Sequence, residues 1–300
     1  MFNRTNCVFM PLLMAVIILS LPLAAGAHHE AMFGPQSSAV LSPTMFISVQ
    51  AFDRENGLNG FKHRETTTVF STGLTPFKNN PLSMAVVAPI TRESFTGTPA
   101  TTRFEDPLIS GRYRVNANGI AKALGVQESY VMGVGGVEVP LGNKDHPSGH
   151  GPVGEIAAGL FSVEKRPIAG IAYLYYHHTG QYDNGTRQSG NVFTGTGAAY
   201  TPIDDDAKGH LFSLQLGLSY ERTFAVEALG QPLPDSGSRG VFMHPGIVFS
   251  TNPRFQYFGL VSLPLSQSYN SINDRQQFRL GAGMIVMLGH PGERGGTRVK

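Results

Sequence analysis

Hydrophobic and polar residues alternate along much of this chain. The clearest segment is 211–221, in which Phe212, Leu214, Leu216, Leu218 and Tyr220 alternate with Ser213, Gln215, Gly217, Ser219 and Glu221. Because successive side chains of a strand project to opposite sides, this segment predicts a strand with one apolar and one polar face. The segment 278–288 repeats the alternation. Helical spacing of apolar residues is nearly absent, so the pattern favours an all-β protein.

About twelve segments have this character. They lie at 44–53, 62–73, 81–90, 105–115, 128–139, 154–163, 167–178, 209–221, 223–230, 239–250, 254–264 and 278–289. Each is close to the roughly 9–11 residues that a tilted strand needs to cross a bilayer. The connections between them are alternately long, as at 179–208, and short, as at 164–166. Short turns at one end and long loops at the other are typical of outer-membrane barrels. The sequence therefore predicts a single antiparallel up-and-down transmembrane β-barrel of about 12 strands, covering residues 44–289.

The first 27 residues have the pattern of a secretory signal. A polar start with Arg4 precedes the apolar run 8–23, and Ala25-Gly26-Ala27 fits a signal-peptidase site. An uncleaved anchor is the alternative, although the run is shorter than the roughly 20 residues of a membrane helix. We expect cleavage after Ala27, a periplasmic lead-in at 28–43 and a disordered tail at 290–300.

Composition agrees with an exported membrane protein. Charged residues make up 15% of the chain, below the roughly 25% usual in soluble domains. The net charge of +2 is too small to indicate a nucleic-acid partner. The single cysteine, Cys7, lies in the predicted signal, so the mature chain would have no thiolate and no disulfide. We expect a location in the cell outer membrane, in contact with its lipid, and the oligomeric state stays open.

Four stretches resemble a family of exported barrels named for the MetA pathway of phenol degradation. They are 104–114 (Phe-Glu-Asp-Pro-Leu, then Gly-Arg-Tyr-Arg), 137–145 (Val-Glu-Val-Pro-Leu-Gly-Asn-Lys-Asp), 170–176 and 263–265. The resemblance covers roughly 104–289. The chain departs from it at Leu141, where the family usually has Thr, and at Glu138, where Lys is common. The resemblance implies a transporter-like role for hydrophobic or aromatic molecules, and it supplies no catalytic residues.

The polar faces of the predicted strands are the candidate lumen. A charge facing lipid near the middle of a membrane costs about 2–4 kcal/mol, so charged residues are expected to point inward. The predicted lumen-lining residues are Ser110, Arg112, Arg114, Gln215, Ser219, Glu221, Glu227, Arg254, Gln256 and Arg279. In one interpretation they line a path for a small-molecule solute, with the loop 179–208 folding inward to add selectivity. In the other they pair with one another and fill a non-conducting structural or binding barrel.

Histidines are the other candidates for chemistry. His28 and His29 would open the mature chain, where a terminal amine beside imidazoles can bind copper(II). The alternative is a polar start that eases processing. His146 and His150 lie in a Pro- and Gly-containing loop and are interpreted as solvated. His177 and His178 end an aromatic strand and are expected at the outer rim.

The sequence predicts no enzyme and no cofactor. No Gly-x-Ser-x-Gly motif is present. A lipase built on a barrel would need a Ser and a His within hydrogen-bond reach, which sequence alone leaves open. The acidic run 204–206 lacks the spacing of a calcium-binding EF-hand and is interpreted as solvated.

Overall fold

A computed structural model describes most of the predicted barrel. It describes residues 46–58, 61–74, 81–141, 154–179, 186–187, 190–205, 210–225, 227–228, 231–232, 236–252, 254–269 and 276–288. The predicted signal, the lead-in with His28 and His29, the loop with His146 and His150, and the C-terminal tail lie outside these residues. No helix within the described ranges is long and apolar enough to cross a bilayer.

Among the described residues, twelve long strands form one closed wall. They are β1 (Phe46–Leu58), β2 (Phe61–Leu74), β3 (Leu82–Phe95), β5 (Leu108–Asn116), β6 (Glu128–Glu138), β7 (Gly154–Lys165), β8 (Ile168–Thr179), β10 (Asn191–Asp205), β11 (His210–Thr223), β14 (Ser238–Asn252), β15 (Phe255–Tyr269) and β16 (Gln276–Met287). Each is antiparallel to its neighbours, and β1 pairs with both β2 and β16. The pairing of β2 with β3 completes the ring. The predicted fold class is therefore confirmed: an all-β, antiparallel, up-and-down barrel.

The remaining elements are short. The strand β4 (Thr101–Phe104) pairs with β3 beyond the point where β5 does, so β4 and β5 form one interrupted wall strand. The strands β9 (Thr186–Arg187), β12 (Glu227–Ala228) and β13 (Gln231–Pro232) form a separate small sheet. One helix, α1 (Asn118–Leu124), connects β5 to β6 and ends at Gly125, whose φ of 64° is a left-handed conformation that glycine adopts easily.

The prediction was wrong about one wall strand. Residues 191–205, interpreted as part of a loop, form β10, whereas the strand predicted at 223–230 contributes only the short β12. The predicted count is right only because one missed strand offsets one false strand. The predicted loop 179–208 is rich in residues that favour turns, glycine among them, but Gly195 in β10 is required by packing. A Cβ on Gly195 would lie 2.5 Å from the Tyr173 hydroxyl and 2.7 Å from the Leu218 carbonyl oxygen.

The two ends of the barrel differ in their connections. One end, called here the long-loop end, carries most of the long connections: 96–107, 139–153, 180–190 and 224–237. The other, the short-turn end, carries the short connections 166–167, 206–209 and 253–254. The exceptions are the connection 59–60, which is only two residues long, at the long-loop end and the helix-containing connection 117–127 at the short-turn end.

Apolar side chains face outward around the barrel. In β11, the even-numbered Leu214, Leu216 and Leu218 are exposed, while the odd-numbered Ser213, Ser219 and Glu221 on the other face are buried inside the barrel. Exposed tyrosines lie near the borders of this apolar belt, with Tyr113 and Tyr200 towards the short-turn end. An apolar band bordered by aromatic residues is the surface of a barrel surrounded by lipid.

Candidate channel interior

The interior of the barrel has an apolar side. Its buried residues come from β2, β3, β5, β6, β7, β8 and β10, which are consecutive around the ring. They are Val69, Val87, Leu108, Met132, Val134, Ile156, Leu160, Tyr173, Tyr175 and Phe193. The rings of Tyr175 and Phe193 pack at a centroid distance of 5.5 Å. This side was not predicted, because sequence reasoning expected a polar interior throughout.

A sequence signal for the apolar side did exist. Residues 171–176 of β8, Ile-Ala-Tyr-Leu-Tyr-Tyr, are apolar or aromatic at every position instead of alternating. A continuous apolar run in a strand indicates burial on both faces. In a barrel surrounded by lipid, such a run places large apolar side chains both outside and inside.

An ion pair crosses the opposite part of the interior. Arg279 of β16 donates to both carboxylate oxygens of Glu221 of β11, at 2.8 and 2.5 Å. The strands β14 and β15 stand between β11 and β16 in the ring, so the pair joins strands that are not neighbours. The guanidinium also lies over the Phe242 ring, 4.6 Å from its centroid. This bidentate geometry is the strong form of an Arg–carboxylate interaction.

A chain of hydrogen bonds leads to the same carboxylate. The Ser219 hydroxyl donates to Glu221 at 3.1 Å, so His244 Nε2, 2.7 Å from Ser219 Oγ, is the donor in that contact. Nδ1 of His244 lies 2.6 Å from the Ser262 hydroxyl oxygen. The arrangement orders side chains of β11, β14 and β15 inside the barrel.

A second buried pair joins Glu138 of β6 and His177 of β8. The Glu138 Oε2 atom lies 2.9 Å from His177 Nε2, and each side chain is only 1% exposed. The sequence predicts His177 at the outer rim, and His177 lies two residues before the end of β8 at the long-loop end. Its side chain points inward with those of Tyr173 and Tyr175, while Tyr176 and His178 share the other face.

Most of the predicted lumen residues lie on inward faces. In β5, Ser110 is buried, and the Arg114 guanidinium lies 4.0 Å from the Tyr130 ring centroid, inside the wall. In β11, Gln215 lies on the same face as the buried Ser219 and Glu221, because side chains an even number of residues apart in a strand point to the same side. Arg112, Gln256 and Arg279 also face inward, because each lies an even number of residues from a buried, inward-facing position of its strand: Ser110 in β5, Phe258 in β15 and Ile285 in β16.

Two predicted lumen residues lie elsewhere. Glu227 belongs to β12 of the small sheet and not to the wall, because the strand predicted around it does not form. Arg254 is exposed in the turn between β14 and β15, because β15 begins one residue later. The first error comes from a predicted wall strand that does not form, and the second comes from a strand boundary.

A further polar cluster at the long-loop end was not predicted. β2, β3 and the connection through β4 bring together His63, Glu65, Glu93, Arg103 and Glu105. The residues come from three separate stretches of the sequence and belong to no motif. Only the register of β2 against β3, which sequence alone does not give, makes them neighbours.

Comparison with known proteins identifies the fold but no family. No family model matches the sequence, and no curated protein sequence matches it. Among solved structures, an outer membrane channel from Pseudomonas putida F1 has a TM-score of 0.65 at 14% identity, covering 82% of this chain and 96% of that chain. The β domain of the Bordetella autotransporter BrkA gives 0.48 at 10% identity, covering 82% and 100%. The first likeness shows a shared barrel fold, and the resemblance to the phenol-degradation family stays a prediction.

Proposed function

We propose that the protein is an outer-membrane channel for small apolar or aromatic molecules. The observation that carries this proposal is the apolar side of the interior. A water-filled porin has a polar interior, whereas ten apolar or aromatic side chains here cover adjoining strands of the inner wall. Tyr173, Tyr175 and Phe193 offer ring faces and edges on which an aromatic solute can pack.

The outer surface and the predicted signal support the location. An apolar belt on a closed barrel needs lipid around it, and a secretory signal would deliver the chain across the inner membrane. The likeness to an outer-membrane channel is in line with this location. We therefore place the long-loop end outside the cell and the short-turn end in the periplasm.

Passage would require movement of interior side chains. Leu108, Tyr175 and Ile285 are at most 1% exposed, and the Glu221–Arg279 pair crosses the interior. A continuous column of water would expose such residues, so we expect little ion conductance. An apolar solute moving down its gradient could displace apolar side chains at low cost, because it replaces the contacts that they lose.

Uptake in intact cells tests the proposal. Expression of the protein in a porin-deficient Gram-negative host should speed entry of the apolar dye N-phenyl-1-naphthylamine. It should leave entry of the polar β-lactam nitrocefin unchanged. The variant Leu160→Asn, which makes the apolar side polar, should reduce dye entry, while Leu216→Asn on the outer face should not. Faster nitrocefin entry with unchanged dye entry would replace the proposal with an aqueous pore.

The second candidate is a non-conducting structural or binding barrel. The observation that favours it is the hydrogen-bonded network around Glu221, which joins strands across the interior and occupies space there. Planar-bilayer recordings and dye uptake that both stay at the level of empty membranes would support this candidate against the channel.

A further inference from the structure

We propose that His63, Glu65 and Glu93 form a binding site for a divalent transition metal, with zinc as the best-fitting ion. The three residues face inward at the long-loop end, on the neighbouring strands β2 and β3. One imidazole nitrogen and two carboxylates form a ligand set that suits Zn²⁺ and leaves a position for water. The proposal does not depend on passage of a solute through the barrel.

The register of two strands assembles the ligands. Glu65 and Glu93 stand directly opposite each other, and His63 precedes Glu65 by two residues on the same face. One ligand atom from each of the three residues lies within 4.8 Å of the others. Strands hold such positions more rigidly than loops do, so the site is largely assembled before a metal arrives.

His63 and Glu93 hold a nitrogen and an oxygen atom almost far enough apart to bind one metal ion. His63 Nε2 lies 2.8 Å from Glu93 Oε1. The Nε2 atom is buried, and the contact lacks the alignment of a hydrogen bond. Bonds of about 2.0–2.2 Å at tetrahedral angles place adjacent ligand atoms about 3.3–3.6 Å apart. The two atoms therefore need to separate by about 0.5–0.8 Å to become neighbouring corners of one zinc coordination sphere.

Each ligand is also held by a second residue. The Phe95 ring stacks on His63 at a centroid distance of 4.4 Å and an angle of 8°. Arg103 binds the other oxygen of Glu93, and the Thr67 hydroxyl donates to Glu65 at 3.3 Å. Such outer partners orient the ligands of natural metal sites and raise their affinity.

The charges of the cluster favour a divalent cation. Two carboxylates directly opposite each other on adjacent strands repel, and a divalent ion cancels both charges. Arg103 is itself balanced by Glu105, whose carboxylate lies 2.6 Å from it. The β1–β2 register places one more cationic residue, Arg54, opposite Glu65.

Zinc titration of the processed, untagged protein in detergent tests the site. Calorimetry should be run in a His28→Ala/His29→Ala background, so that the N-terminal histidines do not contribute. We expect one zinc ion per barrel, at least tenfold weaker binding in His63→Ala and in Glu93→Gln, and unchanged binding in His210→Ala. His210 is the control because it is exposed on β11 at the opposite end. Absence of saturable binding, or equal affinity in His63→Ala, would overturn the proposal.

A protection experiment covers the case in which the variants fail to fold. Diethyl pyrocarbonate modifies accessible imidazoles, and mass spectrometry locates the modified residues. In the unmutated barrel, zinc should slow modification of His63 severalfold and leave His210 unaffected. Equal rates for His63 with and without zinc would count against the site as directly as a failed titration.

Discussion

Gly154 leaves the space that the buried Glu138–His177 pair occupies. A Cβ at this position would lie 2.2 Å from Glu138 Oε2 and 3.0 Å from His177 Nε2. Gly154→Ala would therefore push the carboxylate away from the imidazole and break this buried contact. We expect the free energy of unfolding to fall by about 1–3 kcal/mol, measured by guanidinium titration in lipid vesicles.

The same strand offers a matched control for this substitution. Gly159 is five residues further along β7 and faces outward, and a Cβ there would meet nothing within 4 Å. Gly159→Ala should change the free energy of unfolding by less than about 0.5 kcal/mol. Equal losses in the two variants would show that backbone effects in β7, and not the buried pair, decide the outcome.

Single residues were predictable where the alternation was clear. Glu221 and Arg279 stand out because they are charged residues on the polar faces of strongly alternating strands. His244, which connects to Glu221 through Ser219, did not stand out, because it lies beside Pro245 and Gly246 in β14, where the alternation is weak. Glu65 and Glu93 were missed for another reason: their proximity depends on the β2–β3 register and not on any local pattern.

At the scale of elements, the Glu221–Arg279 ion pair joins β11 to β16, two strands that are not neighbours in the barrel. A double-mutant cycle with Glu221→Gln and Arg279→Gln should give a coupling energy of about 1–3 kcal/mol, because both side chains are largely buried and the contact is bidentate. Equilibrium unfolding of the two single variants and the double variant provides the measurement.

An exposed pair provides the comparison for this cycle. Arg166 and Glu164 are 3.0 Å apart at the short-turn end, with side chains 49% and 39% exposed. Water screens such pairs, so their coupling energy should stay below about 1 kcal/mol. If the two cycles gave similar coupling energies, the pair inside the barrel would have to be hydrated, which would favour an open lumen.

Two outward-facing residues, one in β11 and one in β10, can show where the apolar belt lies along the barrel. Leu216 lies in the middle of the exposed leucines of this strand, whereas Ile203 lies near the short-turn end of β10. Leu216→Arg should cost about 2–4 kcal/mol and Ile203→Arg about 0–1 kcal/mol, since a charge near the membrane border reaches water. Folding equilibria in vesicles measure both. A larger cost for Ile203→Arg than for Leu216→Arg would mean that the centre of the apolar belt lies nearer the short-turn end.

Strands with one polar face were predicted at nearly the right positions. The strand β10, in contrast, was predicted to be part of a loop. Its inward position 195 is a glycine because the Tyr173 ring from β8 fills the adjoining space. A strand whose shape is set by a neighbour's side chain has a composition that indicates a loop. Only the packed partner shows why glycine is favoured there, so local pattern could not identify this strand.

At the scale of the whole molecule, closure follows from a physical requirement and not from a motif. An apolar outer surface in lipid permits no open sheet edge, since unpaired backbone groups are costly without water. That requirement predicted a ring in which the first strand meets the last. It does not say which residues meet, because register depends on details of turns and packing that act along the entire wall.

The register between the first and last strands can be tested by cross-linking. Ala51 of β1 stands opposite Ala282 of β16, and Gly281 pairs with Phe52 instead. Cα atoms of opposed antiparallel residues lie about 4.5–5.5 Å apart, within the range of a disulfide. In a Cys7→Ser background, Ala51→Cys with Ala282→Cys should therefore cross-link on oxidation, as seen by mass spectrometry of linked peptides.

The control pair, Ala51→Cys with Gly281→Cys, should not cross-link, because a shift of one residue turns the second thiol to the other face. The reverse result would place the wall one residue out of register and would exchange the inward and outward faces of one of the two strands, including the inward placement of Arg279.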